Sequence, residues 1–201
     1  AMEAASIDEI SGGRLMIGLG VGQMAVTRQG VGNARPAISL KEAVEIVRRM
    51  IAGEQVIYEG SFFEMTPPGS SLFFDPVRND VPIHLGVMGE KSLKLAGRIA
   101  NGVLLGMFST PGMVGWARSQ IEEGLAQAGR SWDDFEYRSY ITFSVDKDAA
   151  KAKDAARGIL AAYLSEGVST SATNADSPRW KYSGVTPDEL LSVKEEVGKC
   201  W

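Results

Sequence analysis

Apolar residues recur along the chain in two alternating rhythms: short unbroken runs, and longer stretches with helical spacing. Residues 14–21 read RLMIGLGV, a compact apolar run bounded by glycines, which predicts a strand buried on both faces. Beyond a loop, Leu40, Ala43, Val44, Val47, Met50 and Ile51 repeat at helical spacing until Gly53 stops them. Ser39 and Glu42 have the spacing of a capping box at the start of that helix. Residues 55–65, QVIYEGSFFEM, alternate about Glu59-Gly60 and predict a small hairpin insertion. Residues 66–80 are rich in Pro, Gly, Ser and Asp and read as loop.

The alternation then resumes. Residues 81–88 (VPIHLGVM) predict a strand, 90–100 a helix and 102–108 another strand. Thr110-Pro111 is a helix start, with Val114, Ala117, Ile121, Leu125 and Ala128 along one face up to Gly129. Residues 135–145 read as a strand, followed by an alanine-rich helix to about residue 164. Residues 165–183 look polar and irregular, and Thr186-Pro187-Asp188-Glu189 opens a last short helix. Residues 1–11 look helical, with no strand before them.

Four strand–helix units imply an α/β architecture, either a barrel or an open doubly wound sheet. A whole (β/α)8 barrel needs eight such units over about 250 residues. The expectation is therefore one partial barrel domain across residues 1–201, with early strands and the last strand absent.

Composition narrows the function classes. A net charge of −4, with scattered Lys and Arg, gives no footprint for nucleic acid. One cysteine, Cys200, and one histidine, His84, exclude an intrachain disulfide and make a protein-built metal site improbable. No run approaches the ~18–20 apolar residues of a membrane helix, and no basic-then-apolar leader opens the chain, so a cytoplasmic protein is expected.

Two glycine-rich turns carry the candidate chemistry. GLGVGQ, residues 18–23, follows a strand, as a dinucleotide-binding turn would. Gln23 replaces the third glycine, and no acidic residue ends a second strand ~20 residues later, so the dinucleotide fingerprint fails. The second turn, Gly86-Val87-Met88-Gly89, runs straight into a helix whose positive end suits an anion or a flat polar ring. Gly86 and Gly89 are expected to meet a positive φ or the close approach of a ligand; a tight connection alone would also use them. His84 lies mid-strand, where a satisfied structural histidine is the simpler reading, and receives no role. Met24, Met88 and Met107 fall near strand ends, where they could flank a ring or fill gaps. KDAAKAKDAAR is a solvated helix face.

Taken together, DEISGGRLMIGLGVG (residues 8–22), VIYEGSFFE, PIHLGVMGEKSLKLAGRIANGVLL (82–105) and EGLAQAGR (123–130) resemble the bacterial-luciferase-like monooxygenase family. The resemblance implies a (β/α)8 TIM barrel that binds coenzyme F420 or FMN at the C-terminal mouth of its strands, with hydride chemistry on a small organic substrate. Its pattern is closer to the F420-dependent oxidoreductases. By resemblance, Gly20, Gly22 and Gln23 lie beside the ring or its side chain. Gly86, Val87, Met88 and Gly89 offer backbone contacts to the ribityl-phosphate arm, and Met107, Phe108 and Ser109 close the next rim loop. Glu90 departs from the proline usual after the second turn. No catalytic acid or base carries over. The alternatives are an FMN-dependent monooxygenase using O2, a non-catalytic flavin-binding protein or an inactive fragment. The intact protein is compatible with a homodimer.

Overall fold

The apolar runs become short parallel strands, and the amphipathic stretches become the helices that cover one face of them. The structure, a computed structural model, describes residues 1–22, 35–106, 109–171, 178–182, 184, 186, 188 and 189. In chain order the elements are α1 (Met2–Ile10), β1 (Ile17–Gly20), α2 (Pro36–Ile51), β2 (Tyr58–Glu59), β3 (Glu64–Met65) and β4 (Ile83–Gly86). These are followed by α3 (Glu90–Ile99), β5 (Gly102–Leu105), α4 (Pro111–Gln127), a 3-10 turn (Trp132–Asp134), β6 (Glu136–Ser139), α5 (Ala149–Ser171) and α6 (Pro178–Lys181). Two compact units emerge, residues 1–104 with 120–138, and residues 105–119 with 139–201.

The first unit is organised by a sheet in the order β1-β4-β5-β6. β1 pairs in parallel with β4, Ile17 opposite Ile83 and Gly20 opposite Gly86. β4 pairs in parallel with β5, His84 opposite Gly102. Because side chains alternate across a strand, the register sorts residues onto two faces. One face holds Ile83, Leu85 and Val103, all fully buried. The other holds Gly18, Gly20, His84, Gly86, Gly102, Leu104, Glu136 and Arg138.

β1 departs from expectation, since its residues are half-buried or exposed rather than buried on both faces. It lies at the edge of the sheet formed by the described residues, so only one neighbour covers it. It is also shorter than the apolar run, because pairing with β4 ends at Gly20.

Helix α2 runs antiparallel to the strands. Near its end, Arg48 donates to Asn101 Oδ1 at 3.0 Å, and the same oxygen accepts the Ile83 N–H at 3.1 Å. Asn101 immediately precedes β5, so the end of α2 sits at the N-terminal end of the sheet. Its first turn therefore lies toward the end where Gly20 and Gly86 finish their strands. Leu40, Val44 and Ile51 are buried along this helix, while Ile46 and Met50 pack with Val56 in a cluster that Tyr58 and Met65 border.

The expected capping box does not form. The helix opens at Pro36 with Arg35 as its cap, and the Ser39 hydroxyl donates to the Pro36 carbonyl at 3.1 Å. Glu42 serves the hairpin instead. Its carboxylate accepts the N–H groups of Ser61, Phe62 and Phe63 at 2.7, 2.9 and 3.1 Å. Burial by itself would raise the Glu42 pKa, but those three amides and the Arg35 charge outweigh it and hold the carboxyl below its usual range. The hairpin turn falls at residues 60–63 rather than at Glu59-Gly60, because Glu59 pairs with Glu64 and Gly60 N–H reaches Phe63 O at 2.9 Å. A Cβ on Gly60 would stand 2.5 Å from Glu42 Oε2, so the turn needs glycine there.

Asp8, 1% exposed, ties the first helix to the long loop. Arg78 donates to both its oxygens at 2.9 Å, and Leu15 N–H adds a third bond at 3.0 Å. The Arg78 hydrogen bonds hold the Asp8 carboxyl below its usual range against the opposing effect of burial. Residues 66–80 form no helix or strand, as their composition implied.

Helix α3 and the second half of α4 meet backbone to backbone. A Cβ on Gly97 would collide with the Ile121 carbonyl, and one on Gly124 with the Lys94 carbonyl. Leu93, Ala96, Ile121 and Leu125 are buried around this crossing.

In the second unit, Thr110 Oγ1 accepts the Met113 N–H at 3.3 Å, as its place before Pro111 suggested, and donates to Tyr182 O at 2.9 Å. Trp116 stacks on Tyr182 with centroids 5.9 Å apart. The strand expected over residues 135–145 stops at Ser139, and Ile141, Phe143 and Val145 are 69%, 82% and 86% exposed. An alternating pattern needs a pairing partner to become a strand, and among the described residues the last bond to β5 is Tyr140 N–H to Leu105 O at 2.9 Å. Helix α5 runs to Ser171, beyond the expected end and into residues read as irregular. Polar composition removes an apolar stripe without breaking the i→i+4 ladder. Thr186 and Glu189 form a reciprocal cap at 2.8 and 3.3 Å, as expected of a helix start.

Replacing Gly124 with Val is expected to lower stability by about 1–3 kcal/mol or more, since the clash is with backbone that cannot move aside. Gly158, in α5 with open space around it, gives the contrast. Gly158→Ala is expected to be neutral or stabilising by up to about 1 kcal/mol. Chemical unfolding of both variants checks this; wild-type stability in Gly124→Val would contradict the close crossing.

Candidate functional site

At the C-terminal end of the first unit's sheet, Gly20 and Gly86 stand side by side on the same face. A Cβ on Gly20 would lie 3.2 Å from the Gly86 carbonyl oxygen, and one on Gly86 no closer than 3.8 Å to Leu19 O. Gly22, just beyond the strand, has φ of 57°, the left-handed region that favours glycine. Gly89 caps α3 with φ of −86° and ψ of 149°, and a Cβ there would meet nothing within 4 Å. Among the described residues, neither strain nor packing requires glycine at 86 or 89. Of the two reasons expected for glycine at 89, a positive φ is absent, since the backbone there is ordinary extended chain, and the close approach of a ligand is the one left.

Around this step, Val87 is buried at 6% exposure and anchors the turn, while Met88 is half-buried. Glu90, the first residue of α3, has its carboxylate in an ion pair. Its Oε1 lies 2.9 Å from Lys94 Nζ, which also meets Glu123 Oε2 at 2.7 Å. Those two carboxylates, Glu123 foremost, raise the Lys94 pKa. Ser109 belongs to the second unit, where its hydroxyl donates to Gly106 O at 2.8 Å and touches the Ser139 hydroxyl. Gln23, Met107 and Phe108 lie outside the described residues.

One strand step below the glycine pair, the same face carries the groups that spacing alone did not join. His84, 4% exposed, reaches across Gly102 toward β6. A Cβ on Gly102 would stand 2.7 Å from the imidazole Cε1 and 2.9 Å from Nδ1, so glycine is what lets the ring lie there. The ring Nε2 is 3.7 Å from Glu136 Oε2, an ion-pair distance too long for a hydrogen bond. Arg138 Nε holds that same carboxylate oxygen at 2.9 Å. Nδ1 is sealed from solvent and has no hydrogen-bond partner. The ring is buried as a structural histidine would be, but it is not fully satisfied, since Nδ1 has no hydrogen-bond partner. Burial pushes its pKa down, Glu136 pulls it up and Arg138 opposes Glu136, leaving it below the ordinary value.

At the opposite end of the sheet, Arg48, Arg49, Asp80 and Asn101 border a hollow of about 380 Å³. Its mixed charge and its place at the N-terminal end of the strands separate it from the glycine step. Among the described residues, no cluster of His, Cys, Asp or Glu could hold a metal ion, and no helix is long and apolar enough to cross a membrane.

The luciferase-like monooxygenase family model matches residues 1–197. A 5,10-methylenetetrahydromethanopterin reductase of Archaeoglobus fulgidus is 37% identical over 197 residues, which cover 98% of this chain and 55% of that protein. The chain thus spans about half the length of the curated relatives it matches. Among solved structures, the coenzyme F420-dependent tetrahydromethanopterin reductase of Methanopyrus kandleri superposes with a TM-score of 0.72 at 27% identity, over 98% of this chain and 68% of that one. An F420-dependent secondary alcohol dehydrogenase, in complex with an F420-acetone adduct, gives a TM-score of 0.70 at 20% identity over 98% and 64%, a likeness of fold. The parallel sheet with covering helices is accordingly part of a luciferase-like TIM barrel.

His84 is the only histidine, so its imidazole signals can be followed by NMR without overlap. Its titration midpoint is expected below the ~6.5 of a free imidazole. The unfolded chain then takes up this proton first, so stability falls as pH drops below about 6.5 toward the folded midpoint. The H84F variant should flatten that part of the stability–pH curve. A midpoint above 6.5 would mean that Glu136 outweighs burial.

Proposed function

The chain belongs to the luciferase-like monooxygenase family, and on that premise we propose that it forms part of a single-domain F420-dependent oxidoreductase acting by hydride transfer on a small organic substrate. The observation that carries this reading is the pair of side-chain-free positions, Gly20 and Gly86, at the C-terminal end of adjacent parallel strands. This is where TIM-barrel enzymes hold their reacting groups. Among the described residues nothing requires glycine at 86 or 89, which leaves room for a ligand to approach the main chain.

Coenzyme F420, when bound, supplies the ring that carries the hydride. The chain's own residues bind and orient. Gly20 and Gly22 border the ring, and Gln23 is assigned beside it by family resemblance. The amides of Val87, Met88 and Gly89, at the positive end of α3, take the phosphate arm. Met107, Phe108 and Ser109 are assigned to the cofactor by family resemblance. Buried Val87 fixes the turn, so its amides are held in place before a ligand arrives. F420 is favoured over FMN because the Methanopyrus kandleri reductase named above, 27% identical, is described as coenzyme F420-dependent. We also read the protein as cytoplasmic, with a homodimer as the form to look for.

Titrating F420 and FMN separately into the intact protein, with ring absorbance as the readout, is expected to give tighter binding of F420. Tighter FMN binding would reverse the cofactor and leave the fold untouched. A Val side chain at 86 would occupy the space over the step, so Gly86→Val should weaken cofactor binding at least about tenfold, roughly 1.4 kcal/mol, with little change in melting temperature. Unchanged affinity would return Gly86 to a simple connector.

A further inference from the structure

In the second unit, a short segment far along the chain is seated on the start of α4, a few residues past the end of β5. Thr110 uses its hydroxyl twice, accepting the Met113 N–H at 3.3 Å and donating to the Tyr182 carbonyl at 2.9 Å. A Cβ on Gly112 would lie 2.7 Å from that same carbonyl oxygen, so the approach needs glycine there. One turn further on, Trp116 stacks on the Tyr182 ring at 5.9 Å, with the planes 16° apart. Helix α6 delivers Tyr182 to this seat, the Tyr182 N–H donating to Pro178 O at 3.0 Å. We propose that residues 178–182 form a brace on the loop after β5, with Thr110 a positioning residue that holds Ser109 for contact with the bound cofactor. This rests on the F420 reading above, which gives Ser109 to the cofactor.

Helix capping alone does not account for this arrangement. An aspartate at 110 would cap α4 as well as threonine does, with no proton to give. What Thr110 adds is a donor, and the acceptor it meets is 72 residues away in sequence. Glycine in the first turn of α4 also gives up helix propensity, and the Tyr182 carbonyl occupies the space that a side chain at 112 would take. Ser109 is thereby held from two sides. Its hydroxyl donates to Gly106 O at 2.8 Å and touches the Ser139 hydroxyl at the end of β6, while the peptide bond ties it to Thr110 and so to the brace. Tyr182 and Trp116 are half-buried rather than core residues, so the brace can lift while Met113 and Ala117 stay packed. A seat that can be left is one that a ligand can favour. If the brace strengthens cofactor binding, bound cofactor strengthens the brace by the same factor.

The test uses the intact protein and two readouts: F420 affinity by ring absorbance, and the rate of limited trypsin cleavage after Lys181, which is exposed beside the seat. T110D keeps the helix cap and loses the donor, G112V drives the Tyr182 carbonyl away, and T110S keeps both functions. The expected result is faster cleavage and F420 affinity about 3- to 10-fold weaker in T110D and G112V, with neither change in T110S. Saturating F420 is expected to slow cleavage after Lys181 in the wild type, an effect that a purely structural contact would not show. If a variant fails to fold, this wild-type protection decides by itself. F420 that binds the wild type without slowing cleavage, or binds T110D and G112V as tightly as the wild type, overturns this inference and leaves the cofactor reading standing. If FMN binds and F420 does not, the cofactor reading fails, and the same two readouts with FMN decide the inference. Failure of both rings to bind overturns both.

Discussion

The parallel register between β1 and β4 decides at once which side chains pack and which positions are left open. With Ile17 opposite Ile83 and Gly20 opposite Gly86, the odd-numbered residues of both strands turn one way and the even-numbered ones the other. A slip of one residue would carry Ile83 and Leu85, both fully buried, to the open face and bring glycines and His84 against the helices. Burying a large aliphatic side chain is worth about 1.5–3 kcal/mol, so the slipped alternative forfeits several such terms together. The open face is thus fixed by the packing of the opposite one. The site inherits its geometry from apolar residues that never touch it.

Two buried carboxylates hold that sheet's surroundings, and both are fully engaged. Asp8 takes two bonds from Arg78 and one from a backbone N–H, and Glu42 takes three backbone N–H groups. In each case hydrogen bonding to the ionised form outweighs the cost of burial, which is why both carboxyls fall below their ordinary range. Each also joins segments far apart in sequence, the first helix to the loop before β4, and α2 to its hairpin. His84 differs from them in kind. It is equally buried, with Nδ1 left without a hydrogen-bond partner and Nε2 facing Glu136 Oε2 at 3.7 Å, so its polar demand is met only in part.

How much of this was legible in the sequence depends on the range of the interaction concerned. Helices α3 and α4 and the strands flanking them follow from local periodicity, and the composition of residues 66–80 was enough to identify a loop. The family followed from several motifs read together, and its model matches residues 1–197. Glu42 was misread because S-x-x-E spacing is the same whether the carboxylate turns back to its own helix or out to a hairpin 20 residues away. The strand expected to continue to residue 145 fails for a related reason, since alternation describes a strand's faces and not its partner. Glu136 and His84 lie 52 positions apart, and no periodicity links them. The one local hint was Gly102 at the head of an apolar run, a place where a strand would ordinarily prefer a β-branched residue.

Glycine itself shows why a motif alone could not assign the site. At 97 and 124 the residue is imposed by backbone, because any side chain would strike the facing helix. At 60 it is imposed by the Glu42 carboxylate, and at 102 by an imidazole. At 22 it serves a positive φ. None of these reasons applies at 86 and 89, where the dihedral is ordinary or the surrounding space is open. A strand-interior glycine costs roughly 0.5–1 kcal/mol relative to alanine, and no contact among the described residues offsets that penalty at Gly86. On the proposed reading, a ligand lying against the main chain at the C-terminal end of β1 and β4 is the contact that would offset it. The letter G is the same at all seven positions; only the atoms around each one separate the glycines that hold the fold from those that leave room for a ligand.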